Sequence, residues 1–374
     1  MKRWAVAIAS VLVFGMMACA QSTPASSVAT SARAAATATA TSPAQKSRSA
    51  VYIHYYIWWT AHHWRDKVGP DYPVNASPLP LPGSVDSQGC NPRANYRNAT
   101  IVDIPSEGLY DQNAPASFDS HISLASNTGV RGFLADWIGT GAAGQGPSSS
   151  DENARLDKLI NRVDAFNAAA AHPFGLGLAF AARGDYQRPA TSIIADLRYF
   201  SAQYGHDPAF RNDFSSKPIV MWMDSRKFSL NTVQQVSAAI EPNVYLLGDE
   251  TAGSWPRDAA YLDGSSYYWS TENPYKNTSA GSSIQTLGSE IHAEGKAWFA
   301  PFIAGYNKQL LGGSCVPRMG TKTLQAVWRL NAASKPNGWF GISWNEFVEN
   351  TYLEPSQAVG RSYLDALHQL IIQA

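Results

Sequence analysis

Gly341-Ile342-Ser343-Trp344-Asn345-Glu346-Phe347-Val348-Glu349-Asn350-Thr351-Tyr352-Leu353-Glu354-Pro355 begins as an apolar strand and turns within a few residues into carboxylates, amides and aromatic rings, until Pro355 closes it. In parallel α/β folds, strands that end in this way deliver side chains to a site. Glu346 and Glu349 stand three apart, so a helical turn after the strand would put both on one side of it. Two carboxylates held that close cannot both ionise comfortably, and one should keep its proton while the other loses it. That would give an acid and a base in one place. The alternative is two glutamates on an exposed first helical turn, where acidic residues suit the helix dipole.

Reading outward from this stretch, the same unit recurs. Apolar, β-branched or aromatic runs occur at 51–59, 131–139, 174–183, 217–224, 243–250, 265–271, 296–307 and 339–347. Helical patterns are expected at 116–128, 151–171, 191–203, 230–240, 256–262, 284–294, 322–333 and 357–372, with Gly129 ending the first of them. Residues 60–110 are rich in Pro, Gly and Asn with little periodicity and read as one long loop of functional character. Near-continuously apolar strands that alternate with helices are what a parallel sheet covered on both faces requires. Eight of them predict a single (β/α)8 barrel spanning 51–374. An open doubly wound sheet would share the alternation, but no Gly-rich nucleotide turn follows any strand.

The first fifty residues read differently. Lys2 and Arg3 precede an apolar run to Met17, and Ala18-Cys19-Ala20 offers a small-residue cleavage point, so 1–19 is expected to be an export signal. Met16-Met17-Ala18-Cys19 resembles a bacterial lipobox with Met where Leu is usual, and lipid attachment at Cys19 is expected. Residues 20–50, mostly Ala, Ser and Thr, are too poor in large apolar groups to fold and suit a flexible tether. This leader carries Lys2, Arg3, Arg33, Lys46 and Arg48, five of the 29 basic residues, whereas all 29 acidic residues follow it. The remaining body is therefore mildly acidic and a poor fit for nucleic acid. With no second long apolar run, contact with a membrane is expected only through the lipid. Cys90 and Cys315 are candidates for a disulfide in an exported chain.

Barrel sites form at the C-terminal ends of strands, and polar residues collect there: Asp136, Arg183 and Asp185, Asp224, Asp249 and Glu250, Asn307, Asn345 and Glu346. Each of these could bind a polyol, hold an arginine or merely end its strand. Aromatic residues are core by default, but Tyr55, Trp58, Trp59, Trp137 and Trp344 sit near strand ends where they could stack on a sugar ring. Glu354 is a further polar candidate. His54, His62 and His63 invite a metal reading, but they lack a spaced third ligand, and no cofactor is expected. No G-x-S-x-G elbow or Cys/His nucleophile is present, so esterase and protease chemistry lack their groups. Cleavage of a glycosidic bond needs an acid for the leaving oxygen and a second carboxylate for the nucleophile, which Glu346 and Glu349 would supply.

The Trp344–Pro355 run resembles the hallmark of glycoside hydrolase family 99, the endo-α-mannosidases, in which Trp/Phe-Asn-Glu-Trp-x-Glu-Gly-Thr-x-Ile-Glu-Pro is typical. Weaker similarity touches Tyr55–Trp59 and the segment from Gly108 through Trp137. The resemblance implies that Glu346 takes the proton from the substrate's own 2-hydroxyl. It implies that Glu349 protonates the leaving oxygen and then activates water, with net retention. The family 71 α-1,3-glucanases are similar, with acids three apart that would invert instead. Val348 and Asn350, where His and Gly are usual, and Tyr352 depart from the family 99 pattern. These departures bear on the sugar and linkage rather than on the acid pair. The expected protein is an exported, monomeric, endo-acting hydrolase of an α-linked mannan- or glucan-like polysaccharide. A glycan-binding barrel without catalysis and a metal-dependent carbohydrate hydrolase are the alternatives.

Overall fold

The computed structural model describes residues 50–72, 90, 100–141, 148–182 and 188–374. The expected signal, its lipid site Cys19, nearly all of the tether, Arg183 and Asp185 lie outside them. The chain opens with β1 (Ala50–Tyr56), α1 (Ala61–Val68), α2 (Ala116–Thr128), β2 (Gly132–Trp137), α3 (Ser148–Asn167), β3 (Gly175–Phe180) and α4 (Ala190–Tyr204). It continues with β4 (Ile219–Trp222), α5 (Leu230–Ile240), β5 (Tyr245–Asp249), α6 (Trp255–Asp258), β6 (Gly264–Ser266), α7 (Ala280–Ala293) and β7 (Ala297–Ile303). Last come β8 (Tyr306–Asn307), β9 (Cys315–Val316), α8 (Lys322–Ala332), β10 (Gly338–Ile342) and α9 (Ser362–Gln373). Eight strands close a parallel barrel in the order β1-β10-β7-β6-β5-β4-β3-β2, the (β/α)8 architecture that the alternation predicts.

Successive side chains on a strand face opposite ways, so each barrel strand feeds two layers. Tyr52, Leu134, Ala179, Met221, Leu247, Phe299 and Phe340 form the inner cluster. The alternate residues, among them Ile53, Phe133, Leu178 and Val220, face the helices in the large outer core. Further toward the strand ends, past His54 on β1, the inward positions become Tyr56, Asp136, Ala181 and Met223. The floor of the site is thus the next layer of the same stack.

The last helix starts at Ser362 rather than 357, β6 is shorter than the expected 265–271 strand, α6 is shorter than the expected 256–262 helix, and three further differences bear on the site. Part of the expected 60–110 loop is α1, which starts where the Thr60 hydroxyl accepts the His63 N–H and which buries only Trp64 and Val68. One buried i,i+4 pair is too little periodicity to register as a helix in the sequence. The expected 296–307 strand is broken, because Gly305 has φ +154° and an added Cβ would lie 2.5 Å from Arg318 Cγ. Beyond it, β8 leaves the barrel to pair antiparallel with β9. Cys315 on β9 is disulfide-bonded to Cys90, 225 residues earlier. Finally, the chain leaving β10 does not become a helix; residues 347–350 form a turn.

Candidate active site

That turn is held tightly. The Ile342–Ser343 peptide is cis. The Thr351 N–H donates to the Glu346 carbonyl at 3.1 Å, and the Leu353 N–H donates back to the Ser343 carbonyl at 2.9 Å. Phe347 and Tyr352 stack with centroids 4.3 Å apart. Beneath them the fully buried Arg318 donates to the carbonyls of Asn350 and Tyr352, both at 2.9 Å, with its guanidinium 4.2 Å from the Tyr352 ring centroid. Asn345 fixes the start of the turn to the end of β1: its Oδ1 accepts the Tyr56 N–H at 2.8 Å and its Nδ2 donates to the Tyr56 carbonyl at 2.9 Å.

A cavity of about 450 Å³ opens above the inner layer, within the range of small-ligand sites. Glu346 and Glu349 share its wall with Asp136, Asp224, Tyr56 and Trp58, and Tyr268 and Lys308 also reach it. Glu346 is 3 % exposed, and its Oε1 accepts the N–H of Val348 at 2.7 Å and of Glu349 at 3.3 Å. Burial, and after it the charge of Glu349, raises the Glu346 pKa to about 8 despite those two donors. Lys308 Nζ lies 3.0 Å from Glu349 Oε1. Burial opposes the lysine's charge, but the carboxylate outweighs it and the lysine pKa is raised. The pair is therefore asymmetric, with one carboxyl buried and proton-holding beside one that faces a cation.

The remaining candidates separate by strand alternation. Asp136, Asp224 and Trp58 line the cavity, whereas Tyr55, Trp59, Trp137 and Trp344 are buried away from it. Tyr55, one position out of phase with Tyr56, lies 2.7 Å from His121 Nδ1 through its hydroxyl, and Trp137 donates to Asn153 on α3 at 2.6 Å. Trp59 donates its indole N–H to the Asn345 carbonyl at 2.7 Å, and Trp344 packs at 5.2 Å on Phe133. Asp249 works from behind the wall, accepting the Tyr268 and Asp224 N–H groups at 2.8 Å each while ion-paired with Arg226 at 2.7 Å. Glu250 is buried against the Ser225 hydroxyl, and burial pushes its pKa up to about 7. The Asn307 N–H donates to the Glu349 carbonyl at 2.8 Å. Sequence reasoning passed over Tyr56, Tyr268 and Lys308 as site residues. Tyr55 and Tyr56 belong to one aromatic run whose inward face the sequence leaves open, and Lys308 and Tyr268 lie just beyond the ends of β8 and β6, where no strand period marks them.

Among the described residues one group of potential metal ligands converges, and it includes none of His54, His62 and His63. Glu107, His121 and Glu354 bring donor atoms within 4.8 Å of one another. His121 Nε2 lies 2.8 Å from Glu107 and 3.3 Å from Glu354, distances of an ion-paired triad. Burial opposes charge on His121, but Tyr55 and the two carboxylates outweigh it and raise its pKa well above the usual value. Glu354 thus sits behind the turn that carries Glu346 and Glu349, where its Oε2 accepts the Tyr110 hydroxyl at 3.0 Å. His54 is enclosed in the barrel, and burial lowers its pKa to about 3.

No protein-family model matches the chain, and no curated protein matches its sequence. Its fold does match solved structures. The GH99 endo-α-mannosidase of Bacteroides thetaiotaomicron in complex with bis-tris-propane aligns with a TM-score of 0.66 at 16 % identity, over 87 % of this chain and 97 % of that one. Another structure of the endo-α-mannosidase from that organism gives 0.65 at 17 % identity, over 86 % and 96 %. A glycoside hydrolase-like protein gives 0.57 at 14 % identity, over 72 % and 89 %. The chain thus shares the barrel fold of the endo-α-mannosidase over nearly that enzyme's whole length.

Proposed function

We propose that this protein is a glycoside hydrolase that cuts internally in an α-linked mannan- or glucan-like polysaccharide, with Glu346 and Glu349 as its catalytic pair. The observation that carries the reading is the joint placement of these two carboxylates on one wall of the cavity at the strand ends, in unlike environments. The barrel shared with the endo-α-mannosidase supports the same class.

One proton shared between the two groups is the inventory that glycosidic cleavage needs, an acid for the leaving oxygen and a base for the attacking hydroxyl. In the empty site, burial keeps that proton on Glu346. A sugar whose 2-hydroxyl donates to Glu346 and whose glycosidic oxygen meets Glu349 favours passing it to Glu349. Glu346 then draws the hydroxyl proton as that oxygen attacks the anomeric carbon, and Glu349 protonates the departing oxygen. Asp136, Asp224 and the Tyr56–Tyr268 hydroxyl pair, 2.6 Å apart, are placed to fix the ring's hydroxyls. No metal or cofactor takes part in this scheme. Export, anchoring through Cys19 and action as a monomer belong to the same proposal; Cys19→Ser should move the protein from the membrane fraction to the medium.

The test is a panel of α-linked mannans and glucans with mass analysis of products. Wild type should release oligosaccharides and Glu349→Gln should lose on the order of 10³-fold in rate while keeping its melting temperature. Equal turnover by both would end the proposal, and binding without new reducing ends would favour a non-catalytic glycan binder.

A further inference from the structure

His121 on α2 is fully buried and stands back from the cavity, yet two lines of polar contacts run from its ring to the walls that enclose it. One starts at Nδ1, which lies 2.7 Å from the Tyr55 hydroxyl. Gln112 Nε2 donates to that hydroxyl at 3.2 Å and to the Tyr56 carbonyl at 2.9 Å, while Gln112 Oε1 accepts the Trp59 N–H at 2.7 Å. This arm grips the end of β1, which puts Tyr56 and Trp58 on the cavity wall. The other arm starts at Nε2, 3.3 Å from Glu354 with Glu107 alongside at 2.8 Å. The Tyr110 hydroxyl, which donates to Glu354, accepts from Asn345 Nδ2 at 3.3 Å. Asn345 directly precedes Glu346, and the same Nδ2 donates to the Tyr56 carbonyl at 2.9 Å. The two arms therefore meet at that carbonyl and close a ring.

We infer that His121 is a positioning residue for the reaction: from behind, it holds the turn that carries Glu346 and Glu349 in register with the Tyr56–Trp58 wall, and so fixes where a bound sugar meets the carboxylates. Buried polar groups carry a desolvation cost that apolar packing would not. What they supply is direction, since each link holds its members at a set distance and angle, most firmly where the link carries charge, as at His121. Direction matters here because a misplacement of about 1 Å at a reacting group can cost on the order of 10²-fold in rate. The inference rests on the proposed glycosidase reading and adds to it a residue that never touches substrate.

Two variants test it. Tyr110→Phe keeps the ring against Trp64 and His121 but removes the hydroxyl that links Glu354 to Asn345. His121→Gln removes the charged link at the head of both arms. On an α-glycan that wild type cleaves, and below each variant's melting transition, both should lower kcat about 30-fold with KM changed less than about twofold. The double variant should lose no more than the worse single one, since both cut the same ring. Amide exchange without substrate should quicken about tenfold in either variant at Tyr56 and at Val348, whose N–H groups the Asn345 and Glu346 side chains accept. A lower melting temperature with kcat unchanged gives His121 a structural role alone and overturns the inference. So does a change confined to KM, or losses that multiply in the double variant. If His121→Gln does not fold, Tyr110→Phe decides by the same kcat and exchange readouts. If wild type cleaves no α-glycan, the glycosidase reading ends, and exchange then judges the ring by itself: unchanged rates at either residue overturn it.

Discussion

Glu346 holds a proton in the folded protein that the unfolded chain has already released over the interval from the ordinary glutamate range to about pH 8. The folded state binds more protons there, so stability falls as pH rises through that window, and none of this cost exists at lower pH. Glu346→Gln keeps an oxygen for the Val348 and Glu349 N–H groups but cannot ionise. It should therefore be more stable than wild type by on the order of 2 kcal/mol at pH 8 and by little at pH 4.5, read from urea melts at the two pH values. A gain that does not depend on pH would show that the carboxyl is not burdened by its burial. The same ionisation should set the alkaline limb of activity. Above about pH 8 Glu346 gives up the proton that the scheme passes on to the leaving oxygen, so kcat/KM should fall there. Lys308→Met, which removes the cation beside Glu349, should move that limb upward, since the pair then holds its last proton more firmly.

At the scale of the element, the turn after β10 is the unit that matters, and its rigidity comes from a residue outside it. Arg318, placed just before α8, is fully buried with its Nη2 on two carbonyls of the turn and its plane against Tyr352 and Tyr363. A lysine offers neither the planar fork nor the stacking face. Arg318→Lys should cost about 2–3 kcal/mol in a denaturant melt and lower kcat more than it changes KM, because what loosens is the wall that carries Glu349. An unchanged kcat would assign Arg318 to stability alone. Long, strongly patterned elements were legible in the sequence. The expected 116–128 and 230–240 helices coincide with α2 and α5, whose apolar stripes are clear. Short elements were less so: α1, which buries two side chains, left no period to read, and β6, expected over 265–271, has only the three residues Gly264–Ser266, too few to fix where the strand ends. The choice of Tyr55 over Tyr56 as a site residue illustrates a different loss. Both belong to one aromatic run, and only the barrel's closure fixes which face is inside.

For the molecule as a whole, the Cys90–Cys315 bridge ties the segment before α2 to the β8–β9 excursion that adjoins Lys308 and supports Glu349 through the Asn307 N–H. Closing a loop of that length restricts the unfolded chain, so reduction or Cys315→Ser should destabilise by about 3 kcal/mol and lower the melting temperature, as followed with and without a phosphine reductant. An unmoved transition would mean that the bridge braces only a local segment.

The alternation of strands and helices, the end of the barrel where polar residues gather, and the spacing of Glu346 and Glu349 could all be read along the chain. These follow from local periodicity and from chain neighbours three apart, which need no partner to be read. It took the folded chain to settle which aromatic of each pair faces the cavity, that Lys308 and Tyr268 complete its wall, and that the buried Glu354 and His121 meet the exposed Glu107 behind it. Those outcomes depend on strand register and on contacts between residues up to hundreds of positions apart, and neither leaves a mark in any one stretch of chain.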